Sequence, residues 1–119
     1  LNGIKNILHQ AKYDRVVVNN ITYFFNHYED EEVLKFVEEF SVISKKNESI
    51  FFILMTKGIF DSKTEVAMKH VGDGVIEFNL REKDDELQRR LKILKLKRCL
   101  VPKSVMRYEL SGKGLKMES

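Results

Sequence analysis

The sequence predicts an α/β fold on a mixed sheet: parallel core strands flanked by helices, then an antiparallel C-terminal strand and hairpin. Two continuous apolar stretches, Val16-Val17-Val18 and Ser49 to Thr56, read as strands, and helical periodicities surround them. After Gly74 the pattern changes, and strands follow one another through short turns with no helix between. Strands linked through helices imply parallel pairing by right-handed crossovers; strands linked by turns imply antiparallel pairing.

Each element has its own signal. Asn2 to Lys12 places Ile4, Ile7, Leu8 and Ala11 on one helical face, and Tyr13-Asp14 breaks it. Val16-Val17-Val18 is apolar at successive positions, the pattern of a strand buried on both faces, as in parallel sheets. Glu29 to Ser44 spaces Val33, Leu34, Phe36, Val37, Phe40 and Ile43 three to four apart behind an acidic start, which suits a helix N-terminus. Lys45-Lys46-Asn47 ends that helix at an Asn turn. Ser49 to Thr56 is the second strand. Asp61-Ser62 caps a short helix ending near Val71, with Glu65 placed as in a capping box. Gly72-Asp73-Gly74 is a turn and Val75 to Leu80 the third strand. Arg81 to Glu86 is a charged turn, and Leu87 to Leu100 a long strand broken by Val101-Pro102. Val105 to Leu110 and Leu115 to Glu118 form a hairpin around Ser111-Gly112-Lys113-Gly114.

At 119 residues the chain fits one domain, 1-119, with no internal repeat. Hydrophobic content of 43% and charged content of 33% are those of a soluble globular protein. A net charge of +3, from 21 basic and 18 acidic residues, is too balanced to argue for nucleic acid on totals alone. Charge is nevertheless uneven: Glu29 to Glu39 is acidic and Arg89 to Arg98 basic. The longest apolar run, Ile50 to Met55, falls far short of the roughly 20 residues of a membrane span, and no signal peptide is visible at the first residues. The single cysteine, Cys99, excludes an internal disulfide and fits a reducing, cytoplasmic compartment. It reads as a partly buried, inert thiol. His9, His27 and His70 are isolated, with no carboxylate or cysteine at ligand spacing, so no metal site is expected. Phe24-Phe25 and Phe51-Phe52 read as core.

Three segments could carry chemistry. Val16-Val17-Val18-Asn19-Asn20-Ile21-Thr22 is an apolar strand with polar residues at its carboxyl end, where open α/β folds bind ligands; it also fits an ordinary strand ending in turn-forming asparagines. Ile50 to Thr56 ends likewise in a hydroxyl, which also suits a turn. In Leu91-Lys92-Ile93-Leu94-Lys95-Leu96-Lys97-Arg98, alternation puts Leu91, Ile93, Lys95 and Lys97 on one face. Cations at a strand end suit phosphate, and lysines on an edge strand equally guard against aggregation.

These segments, taken in order with Asp73-Gly74-Val75-Ile76 and the closing Met106-Arg-Tyr-Glu-Leu-Ser-Gly-Lys-Gly-Leu115, resemble the C-terminal half of a RecA-superfamily, KaiC-like ATPase domain. The resemblance covers nearly the whole chain. It implies a RecA-like sheet in which Val16 to Asn20 is the Walker B strand. The family's aspartate position then falls on Asn19, and a neutral amide is a poor holder of the Mg²⁺ shell. Asn19, Asn20 and Thr56 would line the phosphate edge. Lys95 and Lys97 match the family's Lys and Arg that reach across a subunit boundary to a neighbour's nucleotide phosphates; at Lys97 the bidentate fork is lost. Arg98 stands where the family has glycine, which implies an altered turn. The hairpin identifies the fold and carries no chemistry.

By the same resemblance an intact member uses ATP and Mg²⁺ and is a homo-oligomer, here joined through the Lys95-Lys97 strand edge. The G-x-x-x-x-G-K-[ST] phosphate loop and the paired glutamates that activate water are not in these 119 residues. The chain is therefore expected to be a partial domain lacking the phosphate-loop half, with no catalytic residue of its own, no cofactor on its own and no turnover alone. The expected function is the C-terminal part of a nucleotide-binding, regulatory ATPase-family protein with a degenerate Walker B and weakened or lost hydrolysis. The alternative is a degenerate assembly or regulatory module of the same fold that binds no nucleotide. A nucleic-acid contact along Arg89 to Arg98 ranks last, and no membrane partner is expected.

Overall fold

The computed structural model describes all residues except Lys103 and Ser119. The chain divides into two compact units, residues 1–72 and 73–119. The α/β class with parallel core strands, flanking helices and an antiparallel C-terminal extension holds, and the two kinds of pairing form separate ladders.

In the first unit, α1 (Asn2–Gln10), β1 (Arg15–Val18), α2 (Thr22–Phe25), α3 (Asp30–Lys46), β2 (Ile50–Ile53) and α4 (Ser62–Val71) follow in order. β1 and β2 pair in parallel, Arg15 opposite Ile50 through Val18 opposite Ile53. The core is the inner face of α3. Val33, Phe36, Val37, Phe40 and Ile43 are buried with Leu8, Ile21 and Met68. Phe40 contacts Phe36 at 5.3 Å and Phe51 of β2 at 4.5 Å between ring centroids. Burying such a ring contributes roughly 1.5–3 kcal/mol. Acidic Asp30, Glu31 and Glu32 open α3 while Lys45 and Lys46 close it, both favourable to its dipole. The left-handed residue beyond its end is Glu48 (φ 53°), with Asn47 still helical.

Two expectations for this unit are corrected. β1 and β2 are buried on one face: Val16, Val18, Phe51 and Ile53 pack inward, while Val17 is 59% exposed and Phe52 49%. Successive apolar residues mark both faces as suited to cover, and within this unit the helices cover one of them. Phe52 is thus not core, unlike Phe24, Phe25 and Phe51. Asp61 does cap α4, accepting from the Thr64 N–H at 2.8 Å, but Glu65 closes no capping box. Its carboxylate instead accepts from the Gly58 N–H at 2.8 Å.

The second unit is an antiparallel sheet of β3 (Gly74–Lys83), β4 (Glu86–Leu96), β5 (Met106–Ser111) and β6 (Gly114–Met117) in sequence order. The predicted six-residue charged turn shrinks to Asp84-Asp85, both left-handed (φ 52° and 59°). Two positive-φ residues make the hairpin turn that matches strand twist, and aspartate tolerates that region. β4 ends at Leu96, four residues earlier than predicted, because Lys97 and Arg98 turn away. Arg98 is left-handed (φ 65°), a backbone region that favours glycine. Cys99, just beyond, is exposed and not partly buried.

A bulge changes which face the basic residues occupy. Lys95 pairs with Val75 but Ile93 with Ile76, which leaves Leu94 unpaired. One extra residue slips the alternation by one. Lys95 therefore shares a face with Lys92 and Arg90, not with Leu91 and Ile93. The opposite face is largely apolar: Ile76, Phe78, Leu80, Leu91, Ile93, Met106, Tyr108, Leu110 and Leu115 occupy it by register, with Arg89 between Leu80 and Tyr108. Phe78 and Tyr108 meet edge to face at 5.9 Å, yet Phe78 stays 56% exposed.

Candidate functional site

The carboxyl ends of β1 and β2 lie side by side because the strands are parallel and in register. The Leu54 N–H donates to the Val18 carbonyl at 3.0 Å and the Ile21 N–H to the Leu54 carbonyl at 2.9 Å, which extends the pairing beyond the strands. Ile21 is fully buried and anchors the turn.

Side chains then tie the two ends together. Asn20 Nδ2 donates to Thr56 Oγ1 at 3.0 Å, and Asn20 Oδ1 accepts from the Thr22 N–H at 3.0 Å. Thr22 Oγ1 accepts from the Thr56 N–H at 3.0 Å. Two of the three residues expected at this edge, Asn20 and Thr56, are in direct contact, and exposed Asn19 precedes them at the end of β1. Thr22 is the member that sequence reasoning passed over. Its signal was an asparagine two residues earlier, the spacing of an Asx turn.

The arrangement offers hydroxyl and amide groups at a sheet edge and no carboxylate. A Mg²⁺ ion is held mainly by carboxylate and phosphate oxygens. Asn19 is neutral, both polar atoms of Asn20 are engaged, and the described residues contain no cluster of His, Cys, Asp or Glu able to hold a metal. The donor set does not fit a metal held by this edge.

Lys95 and Lys97 belong to the second unit. Lys97 follows the last residue of β4, where its N–H donates to the Asp73 carbonyl at 2.9 Å. Its ammonium lies 3.6 Å from the Asp73 carboxylate, both side chains about half exposed. A pair so exposed holds a cation loosely, worth about 0–1 kcal/mol. His27 lines an open cavity of about 470 Å³ with Tyr28, Glu29, Asp30 and Glu32, a solvated loop at the start of α3. No helix among the described residues is long and apolar enough to cross a membrane.

A family model described as "ATPase: KaiC" matches residues 1–119. The fold is similar to the crystal structure of the KaiC-like protein PH0186 from the hyperthermophilic archaeon Pyrococcus horikoshii OT3, with a TM-score of 0.76 at 17% identity. That match covers 99% of this chain and 55% of the archaeal one, so the chain spans about half the length of the solved protein. None of the curated proteins matches the sequence.

Proposed function

The chain belongs to the KaiC ATPase family, and we propose from this that it forms the C-terminal part of a RecA-like nucleotide-binding domain whose role is regulatory and whose hydrolysis is weak or lost. The observation that carries the reading is the linked edge Asn20–Thr56–Thr22 beside Asn19, at the carboxyl ends of parallel strands. Such an edge is where α/β sheets receive ligands. Asn19 and Thr56 present neutral polar groups to the phosphates of ATP. The neutral amide of Asn19 attracts Mg²⁺ less than a carboxylate does, which slows a reaction that depends on metal charge.

The phosphate loop comes from outside these 119 residues. The outer faces bearing Val17, Phe52 and Phe78 support this, because exposed apolar surface of that extent marks a place where further protein packs. Lys95 and Lys97 approach the phosphates of a neighbouring subunit in a homo-oligomer. In support, the backbone of Lys97 is fixed while its ammonium is paired at an exposed position.

ATP turnover with Mg²⁺, measured on the complete polypeptide containing these residues, tests the reading. Low turnover that rises at least tenfold in Asn19→Asp is expected, and the 119-residue chain alone should give none. Brisk turnover by the isolated chain, or Asn19→Asp without effect, would count against it. A second reading, an assembly module that binds no nucleotide, draws on the missing carboxylate at this edge. It predicts that ATP leaves the thermal midpoint of the complete polypeptide unchanged.

A further inference from the structure

Arg90 and Arg107 stand directly opposite each other across the β4–β5 ladder, and the function proposed above uses neither. Opposed residues of an antiparallel pair bring their Cβ atoms to about 4.5–5.5 Å, and like charges so placed destabilise the sheet. Among the described residues, one Arg90 hydrogen bond offsets it locally: Nη2 donates to the neutral Gln88 Oε1 at 2.9 Å. Arg90 Nε is buried and has no hydrogen-bond partner. A buried charged donor without an acceptor is a costly arrangement that calls for a specific explanation, such as an ion. Two residues along β4, about 7 Å away, Lys92 adds a further cation on the same face. The nearest acids by register are Glu109, two residues along β5 from Arg107 on the same face, Glu77, opposite Lys92, and Glu118, whose N–H donates to the Arg107 carbonyl at 2.9 Å.

We propose that Arg90 and Arg107 form a binding site for a phosphoryl oxyanion on the polar face of the antiparallel sheet. A phosphoryl group carries about −1.5 to −2 charge at pH 7 with three acceptor oxygens, which matches two adjacent guanidinium forks. A carboxylate carries a single charge and satisfies one fork. The anion supplies the acceptor that Arg90 Nε lacks and turns the Arg–Arg repulsion into shared attraction.

The test is a titration of inorganic phosphate into the full 119-residue chain at constant ionic strength, following the arginine Nε–H resonances by NMR together with the thermal midpoint. Saturable movement of the Arg90 Nε–H signal and a raised midpoint are expected, with binding weakened at least tenfold in Arg107→Gln. Without phosphate, Arg107→Gln should itself raise the midpoint, because the repulsion is gone. Arg90→Lys keeps the charge but loses the fork, and should also weaken binding. The proposal fails if chloride at equal ionic strength acts as phosphate does, which is screening alone. It fails equally if phosphate moves the wild type and Arg107→Gln alike. Parallel titrations with pyrophosphate and AMP identify the source: tighter AMP binding points to a nucleotide, and equal or tighter pyrophosphate binding to a bare phosphate group.

Discussion

Asn20 joins two strands with one side chain, its amide nitrogen on Thr56 and its oxygen on the Thr22 N–H. Replacing it by alanine removes both contacts and frees the Thr56 hydroxyl. Net worth near 1 kcal/mol per hydrogen bond sets the scale, so Asn20→Ala should lower stability by about 1–2 kcal/mol in urea denaturation, and Thr22→Val by about 1 kcal/mol. If neither changes the midpoint, the edge is not held by this network. Asp61 gives a pH prediction. The Thr64 backbone N–H, then the Thr64 side chain, hold its carboxyl below the ordinary value of 3.8. A carboxylate depressed on folding stabilises the fold at pH above its unfolded value, and that stabilisation fades as pH falls through the folded value. The midpoint gap between wild type and Asp61→Ala should therefore be full at pH 6 and shrink below pH 4.

At the level of elements, apolar periodicity marked α3 because its stripe coincides with the core: of its seven apolar positions, five are buried, Leu34 packs against them and Val42, off the stripe, is exposed. Strand ends and turns were less legible. Asp84-Asp85 lacks the Asn-Gly signature of a tight hairpin, so the charged stretch around it reads as a loop although the ladder runs from Gly74 to Lys83. The bulge at Leu94 has no sequence mark, since one unpaired residue inside an apolar–basic alternation leaves the composition unchanged. Two of the three turns that hold non-glycine residues in left-handed backbone are sites for improvement. Glu48→Gly beyond α3 should stabilise the protein by about 0.5–1 kcal/mol in denaturant, as should Arg98→Gly after β4. A loss of stability in either variant would mean that the side chain's own contacts outweigh the backbone strain.

Over the whole molecule, charge and chemistry are divided between the two units. The second holds twelve of the 21 basic residues and eight of the 18 acidic ones, so the positive excess lies there, while the amide and hydroxyl edge lies in the first. The edge was readable from the sequence because the strand pattern delivers Asn19, Asn20 and Thr56 to one end of a parallel pair. Thr22 was not, since it acts from the turn after β1 and meets Thr56 only through long-range pairing. The unequal cover of the strands was hidden for a different reason: apolar residues on both faces say what a sheet can bury, not what packs on it. The central claim is that this edge faces nucleotide phosphates. Its most direct test is an ATP titration of the complete polypeptide, read by backbone amide chemical shifts. Binding that shifts Asn19, Asn20, Thr22 and Thr56 in a single saturable process is the predicted result. Those amides staying fixed while ATP binds elsewhere, or is not bound at all, would contradict it.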